Sequence, residues 1–187
     1  MKDILILYYS KNDSTKRMAR AISRGVESVA NTTAVIRTVN SKHYAESDDL
    51  LVSKEDLKNC SGMIIGSPTH FGNMAAPLKE FFDNTTEEWL NNTLESKLGG
   101  VFTSTSSMHG GQETTLLSMM LPLLHHGMLI AGVPYSVKEL SSTKSGGTPY
   151  GPSHVAHNQN SELTSEEKAI CISYGKRFAQ IINGMNI

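Results

Sequence analysis

The feature that most constrains the fold is a unit that repeats along the chain: a short apolar run, a polar loop, and residues with helical periodicity. The first run, residues 4–9, has strand length and no polar alternation, which is typical of a strand covered on both faces. Polar residues 10–15 follow, and Met18, Ile22 and Val26 then recur on one face of an amphipathic helix. The chain therefore opens as strand, loop and helix.

The unit returns along the rest of the chain. Further strands are predicted at residues 34–39, 63–65, 101–103 and 128–133. Helices are predicted to begin after the N-cap Ser53 and at Thr164, where Thr164 and Glu167 have capping-box spacing. Strands that alternate with helices predict a three-layer α/β fold with a doubly wound, parallel, five-stranded sheet. The length fits a single domain, 1–187.

Two segments exceed what a minimal fold of this kind requires, residues 84–96 and residues 136–163. Long loops in compact domains are usually functional or disordered. The first of these segments carries the only tryptophan, Trp89. The second is rich in Gly, Pro, Ser and His, so both segments are candidates for a functional role.

Composition excludes several classes of partner. The formal charge is −1, from 17 basic and 18 acidic side chains, so no strong field attracts nucleic acid or an anionic membrane. No stretch approaches the roughly 18 apolar residues that a membrane span needs. Cys60 and Cys171 form no metal-ligand or redox pattern, and His154 and His157 lack the helical spacing and further ligands of a zinc site. We expect a cytoplasmic protein without a metal, a membrane or nucleic acid as partner.

The loop after the first strand is a candidate phosphate site. Its hydroxyl and amide side chains meet the N-terminus of a helix, which favours anions. The candidate ligands are Ser10, Lys11, Asn12, Asp13, Ser14 and Thr15. Neither G-x-G-x-x-G nor G-x-x-x-x-G-K-[ST] is present, which argues against a dinucleotide fold and a nucleoside triphosphatase. The monophosphate of FMN fits such a loop, and a solvated turn rich in helix-capping residues is the alternative.

Two further loops are predicted at the same edge of the sheet, since ligands of open α/β sheets bind at the carboxyl ends of the strands. One joins turn-forming residues to two aromatic rings, which suit a flavin: Pro68, Thr69, His70, Phe71, Gly72 and Asn73. The other offers hydroxyls and a glycine that lets the backbone approach a ligand: Ser104, Thr105, Ser106, Ser107, Met108, His109 and Gly110. Together the three loops predict one pocket.

Five ordered motifs carry a resemblance that spans nearly the whole chain. They are LYYS at residues 7–10, GSPTHFGNM at 66–74, GGQET at 110–114, HHGM at 125–128 and GGTPYG at 146–151. With these motifs the chain resembles the WrbA family, the flavodoxin-like NAD(P)H:quinone oxidoreductases. The resemblance implies FMN as cofactor, NADH or NADPH as electron donor, quinones as substrates, and a homotetramer.

The resemblance also implies roles for two residues outside the loops. His125 matches a flavin-site histidine, although a histidine before Gly127 also suits a helix C-terminus. Trp89 matches an aromatic residue that lines the nicotinamide and quinone pocket, although tryptophan is largely buried on average. Because the cofactor carries the chemistry, no catalytic side chain is expected. The alternatives to a two-electron, ping-pong enzyme are a flavodoxin-type one-electron carrier and a regulatory flavoprotein.

Overall fold

The chain forms one mixed sheet with helices on both faces, in a computed structural model that describes residues 1–40, 48–157 and 162–185. The strands are β1 (Lys2–Tyr8), β2 (Thr32–Thr38), β3 (Gly62–His70), β4 (Asn73–Met74), β5 (Leu98–Thr105), β6 (Leu129–Ile130) and β7 (Ser153–Val155). The helices are α1 (Ser14–Glu27), α2 (Lys54–Asn59), α3 (Ala76–Asp83), α4 (Thr86–Leu90), α5 (Gln112–His125), α6 (Lys138–Ser142) and α7 (Ser165–Gly184). The parallel strands follow the order β2-β1-β3-β5-β6, with β7 also parallel to β5 and β4 antiparallel to β3.

Strand β1 lies inside the sheet and shows why an unbroken apolar run forms a strand here. Ile4, Ile6 and Tyr8 are buried in the cluster that contains α1 and α7. Leu5 and Leu7 point to the opposite face, where they are buried with side chains from α3 and α5. The strand therefore has no solvent face on which a polar residue would be favoured. The predicted three-layer α/β fold with a doubly wound parallel sheet is confirmed.

Helices α1 and α7 pack closely because each contributes a glycine to the contact. A Cβ atom on Gly25 would lie 2.0 Å from the carbonyl oxygen of Ile172, and one on Gly175 would lie 2.1 Å from the carbonyl oxygen of Ile22. α7 begins with the predicted capping box, in which Thr164 Oγ1 accepts from the N–H of Glu167. Within the described ranges, no helix is both long and apolar enough to cross a bilayer.

Several predicted element boundaries were wrong. β3 continues to His70 and turns back into β4, so residues 68–70 belong to a strand, because β3 pairs with β5 as far as Pro68 and then with β4. β5 likewise extends to Thr105. Residues 84–96 contain the short helix α4, and residues 136–163 contain α6 and β7.

The predicted fifth strand was too long, and its place at the sheet edge is divided between two strands. β6 pairs with Leu98 and Gly99 at the start of β5, whereas β7 pairs with residues 103–105 at its end. Tyr174 of α7 fills the interval between them. Its hydroxyl accepts from the N–H of Val101 at 3.2 Å and donates to the carbonyl oxygen of Ala131 at 2.9 Å. The hydroxyl thus satisfies backbone groups at the point where β6 has ended.

We expect Tyr174→Phe to lower the free energy of unfolding by about 1–3 kcal/mol, because it leaves two buried backbone groups without their shared partner. Tyr135→Phe is the matched control, since Tyr135 is 67% exposed. Urea denaturation followed by circular dichroism measures both changes. Equal stability of the two variants would contradict the role given to the Tyr174 hydroxyl.

Candidate functional site

The carboxyl ends of β1, β3 and β5 converge on a cavity of about 180 Å³. The strand order reverses at this point, because β2 lies on one side of β1 and β3 on the other. The cavity is lined by Ser10, Lys11, Asn12, Ser14, Thr15, Pro68, Thr69, His70, Ser104, Thr105, Ser106 and Ala156. All of these residues except Ala156 belong to the three loops predicted from the sequence. The three loops therefore meet at one cavity.

The first loop presents the N-terminus of α1 to this cavity. Asp13 is the N-cap, has a left-handed φ of 60°, and makes no side-chain hydrogen bond to the helix within the described structure. The first turn that follows carries Ser, Thr, Lys and Arg. Ser10 Oγ is buried and has no hydrogen-bond partner among residues 1–40, 48–157 and 162–185. A helix N-terminus whose N-cap residue makes no side-chain hydrogen bond, beside a buried hydroxyl without a partner in the described part of the chain, is suited to bind an anion.

Hydroxyl contacts fix the loops relative to one another. Thr15 Oγ1 lies 2.9 Å from Ser104 Oγ, which joins the start of α1 to the end of β5. Thr103 Oγ1 donates to the carbonyl oxygen of Ser67 and lies 3.1 Å from Thr69 Oγ1, which joins β5 to β3. Both threonine and serine hydroxyls donate and accept, so each can hold a neighbour and still face a ligand.

A hairpin turn forms the rim of the cavity on the β3 side. Phe71 and Gly72 have φ values of 52° and 76°, as a two-residue type I′ turn requires, and the Phe71 side chain is fully exposed. A positive φ is unusual for an aromatic residue. Next to it, the pKa of His70 is lowered by partial burial and by the positive charge of Lys11, which favours the neutral imidazole.

The remaining residues of the third loop do not line this cavity. Met108 and His109 line a neighbouring cavity of about 400 Å³, together with residues at the start of α5 and residues 145–153. Gln112 fixes the loop by donating its side-chain amide to the carbonyl oxygen of Met108 at 2.6 Å. A Cβ on Gly110 would lie 2.4 Å from Ser107 Oγ and 2.5 Å from Thr105 Oγ1, so a side chain here would displace these hydroxyls.

Sequence reasoning missed Ala156, which reaches the cavity from the end of β7. Its N–H donates to the carbonyl oxygen of Thr105 at 2.7 Å, so it extends the parallel pairing of β7 with β5. Neither periodicity nor a motif predicts this contact. It depends on β7, whose residues pair with residues of β5 that lie 50 positions earlier in the chain, as Thr103 pairs with Ser153.

Trp89 and His125 do not line this cavity and lie at a distance from it. Helix α5 starts beside the carboxyl ends of the strands and runs back to their amino ends over 14 residues, a length of about 21 Å. His125 is its last residue, and its carbonyl oxygen accepts from Trp89 Nε1 at 2.9 Å. Both residues line a separate cavity of about 510 Å³.

His126 differs from His125 in burial and in bonding. His125 is exposed, whereas His126 is buried and its Nε2 lies 2.9 Å from Thr85 Oγ1. Its Nδ1 has no hydrogen-bond partner in the described parts of the chain. Burial lowers the pKa of His126 despite the nearby carboxylate of Glu88. The ring at this second cavity is therefore favoured in its neutral form.

Buried Glu167 accepts hydrogen bonds that hold the segment around β7 against the start of α7. Its carboxylate accepts from the Nδ1 of His154 at 2.7 Å and from the backbone N–H groups of Gly146, Val155 and Thr164 at 2.9–3.0 Å. Burial by itself raises the pKa of this carboxyl group. The hydrogen bonds from His154 and from the backbone outweigh that effect and lower the pKa to about 2. Glu167 is therefore a carboxylate that only accepts hydrogen bonds.

Comparisons with known proteins agree with this geometry. Residues 3–139 match the family described as "NADPH-dependent FMN reductase". A protein of Chromohalobacter salexigens named "NAD(P)H dehydrogenase (quinone)" is 40% identical, with 97% of each chain covered. A protein of the same name from Acidithiobacillus ferrooxidans is 39% identical with the same coverage. The solved structure of a flavodoxin, WrbA-like protein from Agrobacterium tumefaciens superposes with a TM-score of 0.75 at 22% identity, covering 98% of this chain and 99% of that one.

We expect Glu167→Gln to cost about 1–3 kcal/mol of unfolding free energy at pH 7 and clearly less at pH 3. The folded-state pKa of about 2 lies below the ordinary 4.5. The carboxylate therefore stabilises the fold above pH 4.5, and this contribution is lost as the pH falls from 4.5 towards 2. Urea denaturation across this range measures the difference, with Glu95→Gln, an exposed carboxylate outside the helices, as the control. A penalty that did not depend on pH would contradict the assignment.

Proposed function

We propose that this chain, which belongs to the NADPH-dependent FMN reductase family, is an FMN-dependent NAD(P)H:quinone oxidoreductase in which residues 1–187 act as one FMN-binding domain. One observation carries the proposal. Three loops from β1, β3 and β5 meet at the N-terminus of α1, where the N-cap Asp13 makes no side-chain hydrogen bond within the described structure, beside the buried hydroxyl of Ser10. The relatives named NAD(P)H dehydrogenase (quinone) support the reaction and the substrates.

The residues at the cavity fit the phosphate end of FMN. Backbone N–H groups at the start of α1 and the hydroxyls of Ser10, Ser14 and Thr15 would hold the phosphate. A cavity of about 180 Å³ is smaller than an ordinary small-molecule pocket of roughly 300–1,000 Å³. We therefore propose that it holds the phosphate and ribityl chain, and that the flat ring system extends over the rim at His70 and Phe71.

The overall reaction transfers two electrons: NAD(P)H, a proton and a quinone give NAD(P)⁺ and a hydroquinone. When bound, FMN supplies the redox chemistry. The chain's task is to hold flat rings in position, to exclude water, and to offer hydrogen bonds. The Thr15–Ser104 and Thr69–Thr103 hydroxyl contacts suit this task, because they fix the loops before any ligand binds.

A single chain supplies only part of such a substrate pocket. Trp89 and His125 lie at the far end of α5 from the cavity. The exposed face of α5 connects the two ends, since Leu117, Leu121 and Leu124 are 45–59% exposed at helical spacing. An apolar stripe of this kind marks an interaction surface.

A two-fold axis through the middle of α5 would pair the stripe with its copy in an antiparallel arrangement. The start of α5 contacts the rim, because a Cβ on Gly111 would lie 3.0 Å from the Cα of Gly72. Antiparallel pairing therefore brings Trp89 and His125 of one copy towards the Phe71 rim of the other. We propose a homotetramer, a dimer of such dimers, in which neighbouring copies complete the quinone and nicotinamide pocket.

We also propose that the protein works in the cytoplasm. Cys60 and Cys171 are buried free thiols. Burial raises the pKa of Cys60 to about 11, which leaves it unreactive. Reduced, structural cysteines are typical of a reducing compartment.

Activity of the purified protein with added FMN tests the function. We expect NAD(P)H oxidation that depends on a benzoquinone acceptor, with parallel double-reciprocal plots, because both substrates use one site in turn. Steady-state kinetics in the spectrophotometer measure this. FMN binding without NAD(P)H oxidation would refute the enzyme and favour the one-electron carrier. No FMN binding at all would refute the cofactor.

We expect Leu121→Glu to shift the assembly to smaller species and to raise the KM for quinone while FMN stays bound, since the charge lies in the proposed contact and away from the cavity. Light scattering and kinetics measure both effects. Leu50→Glu is the control, because Leu50 is also strongly exposed, at 70%, but does not lie on α5. A wild-type protein that is monomeric at micromolar concentration, with and without FMN, would contradict the proposed tetramer.

A further inference from the structure

His154 carries a buried nitrogen that has no hydrogen-bond partner among the residues that the structure describes. The side chain is 1% exposed, and its Nδ1 bonds to the Glu167 carboxylate. Its Nε2 is fully buried and forms no hydrogen bond with any residue that the structure describes. Buried polar atoms are nearly always paired, and an exception calls for an explanation.

The register of the sheet places this ring below the phosphate loop. His154 pairs with Ser104 in the parallel β5–β7 ladder, so their side chains share a face of the sheet. On that face Ser104 Oγ contacts Thr15 Oγ1 in the first turn of α1. The same turn lies beside the chain that leads into α7, because Arg17 forms an ion pair with Glu162 at 2.7 Å. Because Nδ1 is held by Glu167 of α7, Nε2 is the ring nitrogen that remains for a group bound near the start of α1.

The charges on the surrounding elements leave His154 well placed to respond to an anion. Glu167 of α7 is the only carboxylate that bonds to the ring in the described structure. On α1, Lys16 is paired with Asp48 at 3.6 Å, and Arg17 with Glu162. A phosphate group at the α1 N-terminus would therefore add negative charge on the side of the ring that has no partner.

We propose that His154 is a binding residue of the phosphate site: in the FMN complex its ring is doubly protonated, with Nδ1–H donated to Glu167 and Nε2–H directed to the phosphate loop. This rests on the proposed function. Glu167 is the positioning residue, because its carboxylate orients the ring and stabilises the positive charge. The contribution is specific to the phosphate, so it separates FMN from riboflavin, which has the same ring system and no phosphate.

Two substitutions divide the roles of the two nitrogens. His154→Asn keeps a donor near the position of Nδ1 and removes Nε2. We expect it to weaken FMN binding about tenfold while riboflavin affinity changes by less than about twofold. His154→Gln keeps a group near the position of Nε2 and loses the contact with Glu167, so we expect lower thermal stability. Fluorescence-quenching titrations of the apoprotein measure both affinities, and Ser10→Ala is the positive control for a phosphate-specific loss.

The wild-type protein provides a test that does not depend on how the variants fold. Nitrogen NMR of the labelled apoprotein follows the ring of His154, assigned through its backbone, during titration with FMN, riboflavin or inorganic phosphate. We expect Nε2 to become protonated with FMN and with phosphate, and to stay unchanged with riboflavin. An unchanged Nε2 signal in the FMN complex, or an unchanged ratio of FMN to riboflavin affinity in a folded His154→Asn, would overturn the proposal. If the wild type bound neither flavin, the proposed function itself would fail.

Discussion

The parallel pairing of β1 on both sides is the constraint on which the rest of the structure depends. β2 and β3 both bond to β1 in parallel register, so every strand around it ends at the same edge of the sheet. Helices must then return the chain across both faces, and the faces are buried by two apolar clusters. The loops at the carboxyl edge lie outside these apolar clusters, so they can carry polar groups for binding.

Side-chain contacts hold those loops together, in addition to the strand pairing at the ends of β3, β5 and β7. Pairs of hydroxyls connect the end of β5 to α1 and to β3, and Glu167 connects β7 to the start of α7. The rim is different, because Phe71 adopts a left-handed conformation and exposes its whole ring. An exposed aromatic side chain on a tight turn is suited to contact a flat ligand or a neighbouring copy.

The proposed enzyme uses both ends of one helix. The start of α5 lies against the rim, and its end carries His125 beside Trp89. These two groups of residues are separated by the length of the helix, so one chain cannot bring them to the same ligand. The proposed assembly of copies along the exposed leucine stripe would remove that separation without any change in the fold. The same stripe explains why α5 has apolar side chains on more than its buried face.

The alternation of the main strands and helices, the three loops at the strand ends, the N-cap Ser53 and the capping box at Thr164 can all be predicted from the sequence, because they depend on local periodicity and on backbone groups a few residues apart. The sequence also identified all the lining residues of the cavity except Ala156. The end of β5 and the continuation of the sheet edge by β7 depend on pairing between distant segments, so they appear only in the folded chain. The same holds for the position of Trp89 and His125 at the far end of α5, and for the buried nitrogen of His154 that has no partner among the described residues. Contacts between residues far apart in sequence leave no period or spacing in the chain, so only the folded structure reveals them.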